Sequence, residues 1–177
     1  DGERPMGQAG IQNKKPCDLS DLILRPYRDS DRRAGFDVFY DAVHRGAARA
    51  YTPAQRAVWA PDDGFRPETP DKMLDMVAFV AENPDGSGRL EGFFAMERNG
   101  HLDRAFVRPG WMGRGLAQAL YDLLLEWARG AGLTQLTTEA SHLARPFFEK
   151  NGWQVVTPET ITRDGVEIER FRMSLAL

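Results

Sequence analysis

The sequence predicts an α/β fold of the α+β kind, a mixed and mostly antiparallel sheet with helices packed on it. Three observations carry that prediction. Apolar runs of strand length, such as Met76 to Ala81 and Leu90 to Met96, alternate with segments of helical periodicity. Asn99-Gly100 and Asp164-Gly165 sit between such runs and are hairpin signals, which join antiparallel neighbours. A loop with Gly110, Gly113 and Gly115 then leads into Leu120, Tyr121, Leu123, Leu124, Trp127 and Ala128, apolar at helical spacing.

The first strand is expected at Leu22 to Tyr27, followed by a helix capped by Asp29 with Ala34, Phe36, Phe39, Tyr40 and Val43 on its inner face. Thr52 is the expected N-cap of a second helix, with Pro53 at its first position and Pro61 ending it. Thr69-Pro70 marks a further short helix. Met76 to Ala81, Leu90 to Met96 and His101 to Val107 form a meander of three strands, the first pair joined by Asn83-Pro84-Asp85-Gly86. The long helix ends at Gly130 and Gly132, and Leu133 to Thr138 is the fifth strand. Ser141 caps a helix from His142 to Lys150, stopped by Asn151-Gly152. Trp153 to Val156 and Val166 to Leu175 are the last strands, giving the order β-α-α-β-β-β-α-β-α-β-β.

At 177 residues, with 42% hydrophobic and 28% charged, the chain is of the size and composition of one globular domain, placed at 21–177. Residues 1–20 are polar and aperiodic and read as a disordered tail; if Met6 is a translation start, Asp1 to Pro5 are an expression remnant. A net charge of −3 argues against a nucleic-acid partner. The single cysteine, Cys17, excludes an internal disulfide and a multi-cysteine metal site, so no metal is expected. No apolar run has the length of a membrane span, no membrane partner is expected, and the cytoplasm is the default location.

Ala105 to Ala117 is the stretch that carries chemistry. A strand end, a glycine loop and a helix start free backbone N–H groups and set a positive helix end behind them, an arrangement that binds phosphate. Leu116-Ala117 stand where a P-loop needs Lys-Ser or Lys-Thr, so nothing reaches a γ-phosphate or holds Mg²⁺. Gln118 stands where a dinucleotide fingerprint needs its third glycine or alanine. Met112-Gly113-Arg114-Gly115-Leu116-Ala117 instead resembles the Q/R-x-x-G-x-G/A motif of the GNAT superfamily of N-acetyltransferases, and Phe106-Val107-Arg108-Pro109 is similar to the strand end before it. Glu139 to Trp153 resembles the superfamily's second block, at the usual separation. Tyr51-x-Pro53-x-Gln55 and Ala57-x-Trp59-Ala60 are similar to the YafP-like bacterial branch. The resemblance spans Ile23 to Leu175.

The resemblance implies an acetyl-CoA-dependent N-acetyltransferase that moves acetyl to a primary amine, of a small molecule or a peptide, in a ternary complex. Acetyl-CoA is then the co-substrate. Its expected contacts are Phe106, Val107, Met112, Gly113, Arg114, Gly115, Leu116, Ala117, Ser141, Ala144, Phe147 and Phe148, with Arg114 reaching a phosphate. A strand N–H near Phe106 or Val107 is the implied oxyanion contact. The last strands, which often carry the superfamily's dimer contact, leave a homodimer open.

Two departures stand out. Met112 replaces the usual Gln or Arg, and Phe148 replaces a Tyr that often protonates the departing thiolate. They keep alive the alternative of a non-catalytic acyl-CoA-binding sensor, although Phe-Phe also fits the YafP-like branch. For the base, His101 and Asp103 alternate onto one face of their strand, with Leu102 and Arg104 on the other. An imidazole, with an ordinary pKa of about 6.5, suits proton abstraction near neutral pH, whereas a carboxylate needs its own raised. The competing readings are an Asp103–arginine pair and a solvated His101. Tyr51, Trp59 and Glu139 are acceptor-site candidates, or else packing residues and a solvated strand end. His44 is expected at the surface, and Arg163, Arg170 and Arg172 as exposed strand residues.

Overall fold

The computed structural model describes residues 17–177, so the tail reading for residues 1–16 lies outside the described residues. At residues 17–20 the structure corrects it. Leu19–Asp21 is a 3₁₀ turn, Cys17 and Leu19 pack against the core, and the Cys17 carbonyl accepts a hydrogen bond from Arg114 Nη2 at 2.8 Å.

Among the described residues, seven strands form one sheet: β1 (Ile23–Pro26), β2 (Val77–Glu82), β3 (Leu90–Met96), β4 (His101–Val107), β5 (Gln135–Ala140), β6 (Gln154–Arg163) and β7 (Val166–Ala176). Their spatial order is β1-β2-β3-β4-β5-β7-β6, antiparallel throughout except for β4 beside β5. Four α-helices, α1 (Arg32–Asp41), α2 (Pro53–Trp59), α3 (Leu116–Gly130) and α4 (Arg145–Lys150), complete the order expected from the sequence. Among the described residues, no helix is long and apolar enough to cross a membrane.

Both faces of the sheet centre are covered, which is why every residue of β3 is buried. On one face Leu116, Leu120, Tyr121 and Leu124 of α3 meet Phe94, Met96, Leu102 and Leu136, with Phe148 and Trp153 closing the layer. Trp153 donates its indole N–H to the Tyr121 hydroxyl at 3.0 Å, so this buried polar pair is satisfied. On the other face Val38 of α1 and Met73 pack onto Val80, Leu90, Phe93 and Ala95. A third cluster joins Ala47, Tyr51 and α2 to Ile168 of β7.

Several boundaries differ from the sequence reading, each for a local reason. Asp29 opens a 3₁₀ turn rather than capping α1; the Asp31 carboxylate accepts from Arg28 N at 3.0 Å and from both Arg25 Nη atoms at 2.7 Å. Asp71, not Thr69, caps the short Lys72–Asp75 turn by accepting from Met73 N at 3.1 Å. β5 starts two residues later than the periodicity implies, and α4 begins at Arg145 because Ser141 Oγ accepts from Ala144 N at 3.1 Å to form a separate turn first. Thr52 and Gln55 cap α2 reciprocally, at 3.1 and 2.9 Å. β6 runs on to Arg163; Pro158 within it is tolerated because β6 is an edge strand.

Burial opposes the ionisation of Asp31, but the Arg25 guanidinium and the Arg28 N–H outweigh it and hold the carboxyl below its ordinary 3.8. A depressed carboxyl adds stability above its unfolded pKa and loses it as pH falls through the folded one. Asp31→Asn is therefore expected to lower stability at pH 7 and to flatten the loss below pH ~4, measured by denaturant titration across that range.

Gly100 positions β4 against β5. Its φ is +99°, its carbonyl accepts from Thr137 N at 3.1 Å, and a Cβ there would lie 2.8 Å from the Gln135 carbonyl oxygen. That oxygen is backbone and cannot swing away. Gly100→Ala is expected to cost about 3 kcal/mol or more in a denaturant melt, combining left-handed strain with the clash.

Candidate active site

β4 and β5 touch only at their first residues, His101 with Thr137 and Leu102 with Thr138, and then part. From Asp103 onward β4 has β3 on one side and no strand on the other. Arg108 N donates to the Glu91 carbonyl at 2.8 Å, and alternation along an antiparallel ladder turns the N–H groups of Val107 and Ala105 the other way, into the gap. These donors meet no partner strand there.

A β-bulge shapes the same region. Ala95 pairs with Arg104 and Met96 with Leu102, leaving Asp103 as the extra residue on β4. The strict alternation expected from the sequence is therefore corrected. Arg104 does not join Leu102 on the α3 face; Asp103 and Arg104 both border the cavity on the opposite side, with Arg104 Nε 3.2 Å from Asp103 Oδ2.

On the α3 side of the gap lies an apolar cavity of about 230 Å³. The sequence-named residues Phe106, Val107, Met112, Gly113, Ala117, Ser141, Ala144, Phe147 and Phe148 all line it. Ala42, Gly46, Ala47, Ala105 and Leu143 also line it and went unnamed, because small and aliphatic residues carry no chemical signal. The cavity opens beside the glycine loop. Gly113 has φ +73° with nothing within 4 Å of a would-be Cβ, and Gly115 has φ +87° as the N-cap of α3. No side chain caps α3, so the N–H groups of its first turn remain free.

Two loop residues act differently from expectation. The Leu116 side chain is wholly buried in the core, leaving only its N–H for a ligand. Arg114 folds back: its guanidinium stacks 3.9 Å from the Trp111 ring centroid and donates to the Gly110 and Cys17 carbonyls at 3.3 and 2.8 Å. It borders a separate recess, not the apolar cavity.

The second cavity, of about 600 Å³, lies on the opposite side, and Trp59, Phe106 and Ser141 border both. Tyr51, Asp103 and Glu139 line it, as do Arg163, an exposed strand residue as expected, and Arg170, which is half-buried. Its far wall is the tip of the β6–β7 hairpin. β5 pairs with β7 only from Phe171 to Ala176, so residues 159–170 project beyond the sheet. Ile168 anchors that arm against Tyr51, and Gln55 Nε2 donates to the Glu167 carbonyl at 3.0 Å.

Tyr51 is buried, packs edge-on to Trp59 at 5.3 Å, and its hydroxyl accepts from His142 N at 2.9 Å while lying 3.3 Å from the Glu169 carbonyl. Burial pushes that hydroxyl above its ordinary pKa, so it keeps its proton. His101 does not line the acceptor-side cavity. It sits behind Glu139, with Nε2 2.7 Å from Glu139 Oε2 and Nδ1 2.8 Å from Thr137 Oγ1, and borders a recess on the outer side. His44 is half-buried rather than at the surface, with Nε2 2.6 Å from the Ala60 carbonyl, tying the end of α1 to the end of α2.

A sequence profile of the acetyltransferase (GNAT) domain matches residues 47–175. The N-acetyltransferase YafP of Escherichia coli K12, itself described as uncharacterised, is 30% identical over 156 residues, covering 88% of this chain and 96% of the relative. A GCN5-related N-acetyltransferase (aminotransferase, class II) from Rhodopseudomonas palustris superposes with a TM-score of 0.77 at 26% identity, over 88% of this chain and 96% of that one. The PaiA N-acetyltransferase of Thermoplasma acidophilum, solved in complex with coenzyme A, has the same fold, with a TM-score of 0.67 at 16% identity over 88% and 99% of the two chains. The parted strands, the uncapped helix and the glycine loop thus sit in a chain that belongs to the GNAT acetyltransferase family.

Proposed function

We propose that the protein transfers an acetyl group from acetyl-CoA to a primary amine directly, in a ternary complex. The observation that carries this is the gap between β4 and β5, which opens at one end onto free N–H groups and at the other onto a separate polar cavity. The fit to the co-substrate is favourable. Gly113 leaves a cradle that a Cβ would fill, the N–H groups of the α3 first turn suit a pyrophosphate, and the apolar cavity suits a pantetheine arm. Met112 in place of Gln or Arg weakens this little, because backbone donors do most of the holding.

Acetyl-CoA, when bound, supplies an acetyl group activated as a thioester. The remaining demands fall on this chain. The Val107 N–H, turned into the gap, stabilises the carbonyl oxygen as it gains charge. Asp103 draws the acceptor ammonium toward the gap. Glu139 takes its proton and passes it to His101, which borders the outer recess beside Glu139. Phe148 has no proton to give. Ser141, which borders both cavities, relays to the departing sulfur the second proton, the one the acceptor nitrogen loses as the amide forms.

The test runs in two stages. Acetyl-CoA is expected to raise the melting temperature, and a panel of amines is then expected to release free thiol with acetylated product. Absence of stabilisation would falsify the co-substrate reading. Stabilisation without turnover on any amine or peptide would leave a sensor in place of an enzyme.

A further inference from the structure

We infer that the acceptor is a small amino acid, its amine directed to Asp103 and Glu139, its carboxylate to Arg163, and its apolar body to the aromatic wall. This rests on the acetyl-transfer reading above and specifies the second substrate.

The acceptor-side cavity, at about 600 Å³, is of the size that takes one small molecule. Phe36, Phe39, Val58 and Ile161 give it apolar walls, against which a wholly polar ligand would lose its hydration without return. Its charged groups are not evenly matched. Each carboxylate has a basic neighbour: Asp103 has Arg104 at 3.2 Å, Glu139 has His101 at 2.7 Å, and Glu169 has His142 at 3.4 Å. Arg170 is paired with Glu159 at 2.7 Å. Arg163 has neither a hydrogen bond nor an ion pair among the described residues, so it is the one guanidinium of the cavity left to receive an anion.

Arg163 is also held on a fixed support. It closes β6, opposite Val166 in a ladder that continues to the Asp164-Gly165 turn, where both residues have positive φ. The arm behind it is tied to α2 by the Gln55 bond to Glu167 and by buried Ile168. An unpaired, exposed guanidinium on a braced hairpin, sharing a cavity of mixed polar and apolar lining with carboxylates, matches a ligand that carries one charge of each sign. A simple alkylamine would satisfy only half of it.

The test compares kcat/KM for free-thiol release across matched series: α- and ω-amino acids with apolar bodies, their carboxamides, and the amines that lack the carboxyl carbon. The best amino acid is expected to exceed its carboxamide by about tenfold to hundredfold, the range for hydrogen bonds to a charged group. Arg163→Ala is expected to reduce that ratio at least about tenfold, with the loss mainly in KM, and Arg163→Lys to retain part of it. Equal use of acid and carboxamide, a preference for the plain amines, or an unchanged ratio in Arg163→Ala each overturns the proposal while leaving acetyl transfer intact. No turnover with any series, despite stabilisation by acetyl-CoA, overturns both.

Discussion

Gly115→Asp is expected to abolish the stabilisation that acetyl-CoA should confer on the wild-type protein. At a hundredfold excess over its Kd a ligand contributes about 2.7 kcal/mol, which raises the melting temperature of a protein this size by roughly 5–10 °C. Gly115 is the N-cap of α3 at φ +87°, and its would-be Cβ has one neighbour, the flexible Leu19 Cδ2 at 3.4 Å. Aspartate is among the few side chains that enter the left-handed region, so the variant folds with a loss of about 1–2 kcal/mol. It then sets a carboxylate before the N–H groups meant for a pyrophosphate. Gly115→Asn has the same shape without the charge and retains part of the shift. A folded Gly115→Asp protein with a full wild-type shift would remove the loop from the cofactor site.

Glu139→Gln is expected to lower kcat/KM by about a hundredfold or more, the scale of general-base catalysis. The amide keeps the size of the side chain but cannot take the proton, and the pairing with His101 loses its charge. Affinity for acetyl-CoA, read from thermal shifts, is expected to stay at the wild-type value because Glu139 does not line the apolar cavity. His101→Ala is expected to cost less, about tenfold, since solvent can replace a relay more easily than a base. Turnover of Glu139→Gln within threefold of wild type would move the base to Asp103, the other carboxylate bordering the cavity near the gap.

These variants separate what could be read from the sequence from what could not. The glycine loop was legible because its demands are local. Left-handed backbone at Gly113 and Gly115 requires glycine, and Met112 to Ala117 carries that requirement in consecutive positions. Hairpins at Asn99-Gly100 and Asp164-Gly165 were legible for the same reason. The acceptor side depends on register. Nothing in His101-Leu102-Asp103-Arg104 announces that Asp103 is the extra residue, since the bulge is decided by how β4 meets β3. The apolar pattern ends the sixth strand at Val156, yet the ladder with β7 carries it on to Arg163 and brings that residue to the cavity. Glu139 and His101 lie 38 positions apart, and only the parallel start of β4 and β5 makes them neighbours.

The parting of β4 and β5 has a mechanical consequence. The sheet is two blades, β1 to β4 and β5 to β7, joined at two residue pairs and braced from one side by the layer in which α3 meets Leu136, Phe148 and Trp153. The width of the gap is therefore set by how large the residues of that layer are. Trimming or enlarging Leu136 or Trp153, neither of which lines the apolar cavity, is expected to change the angle between the blades, and with it the grip on the proposed co-substrate, without altering any residue of the cavity wall. Affinity for the proposed co-substrate then becomes, in part, a dimension of the core.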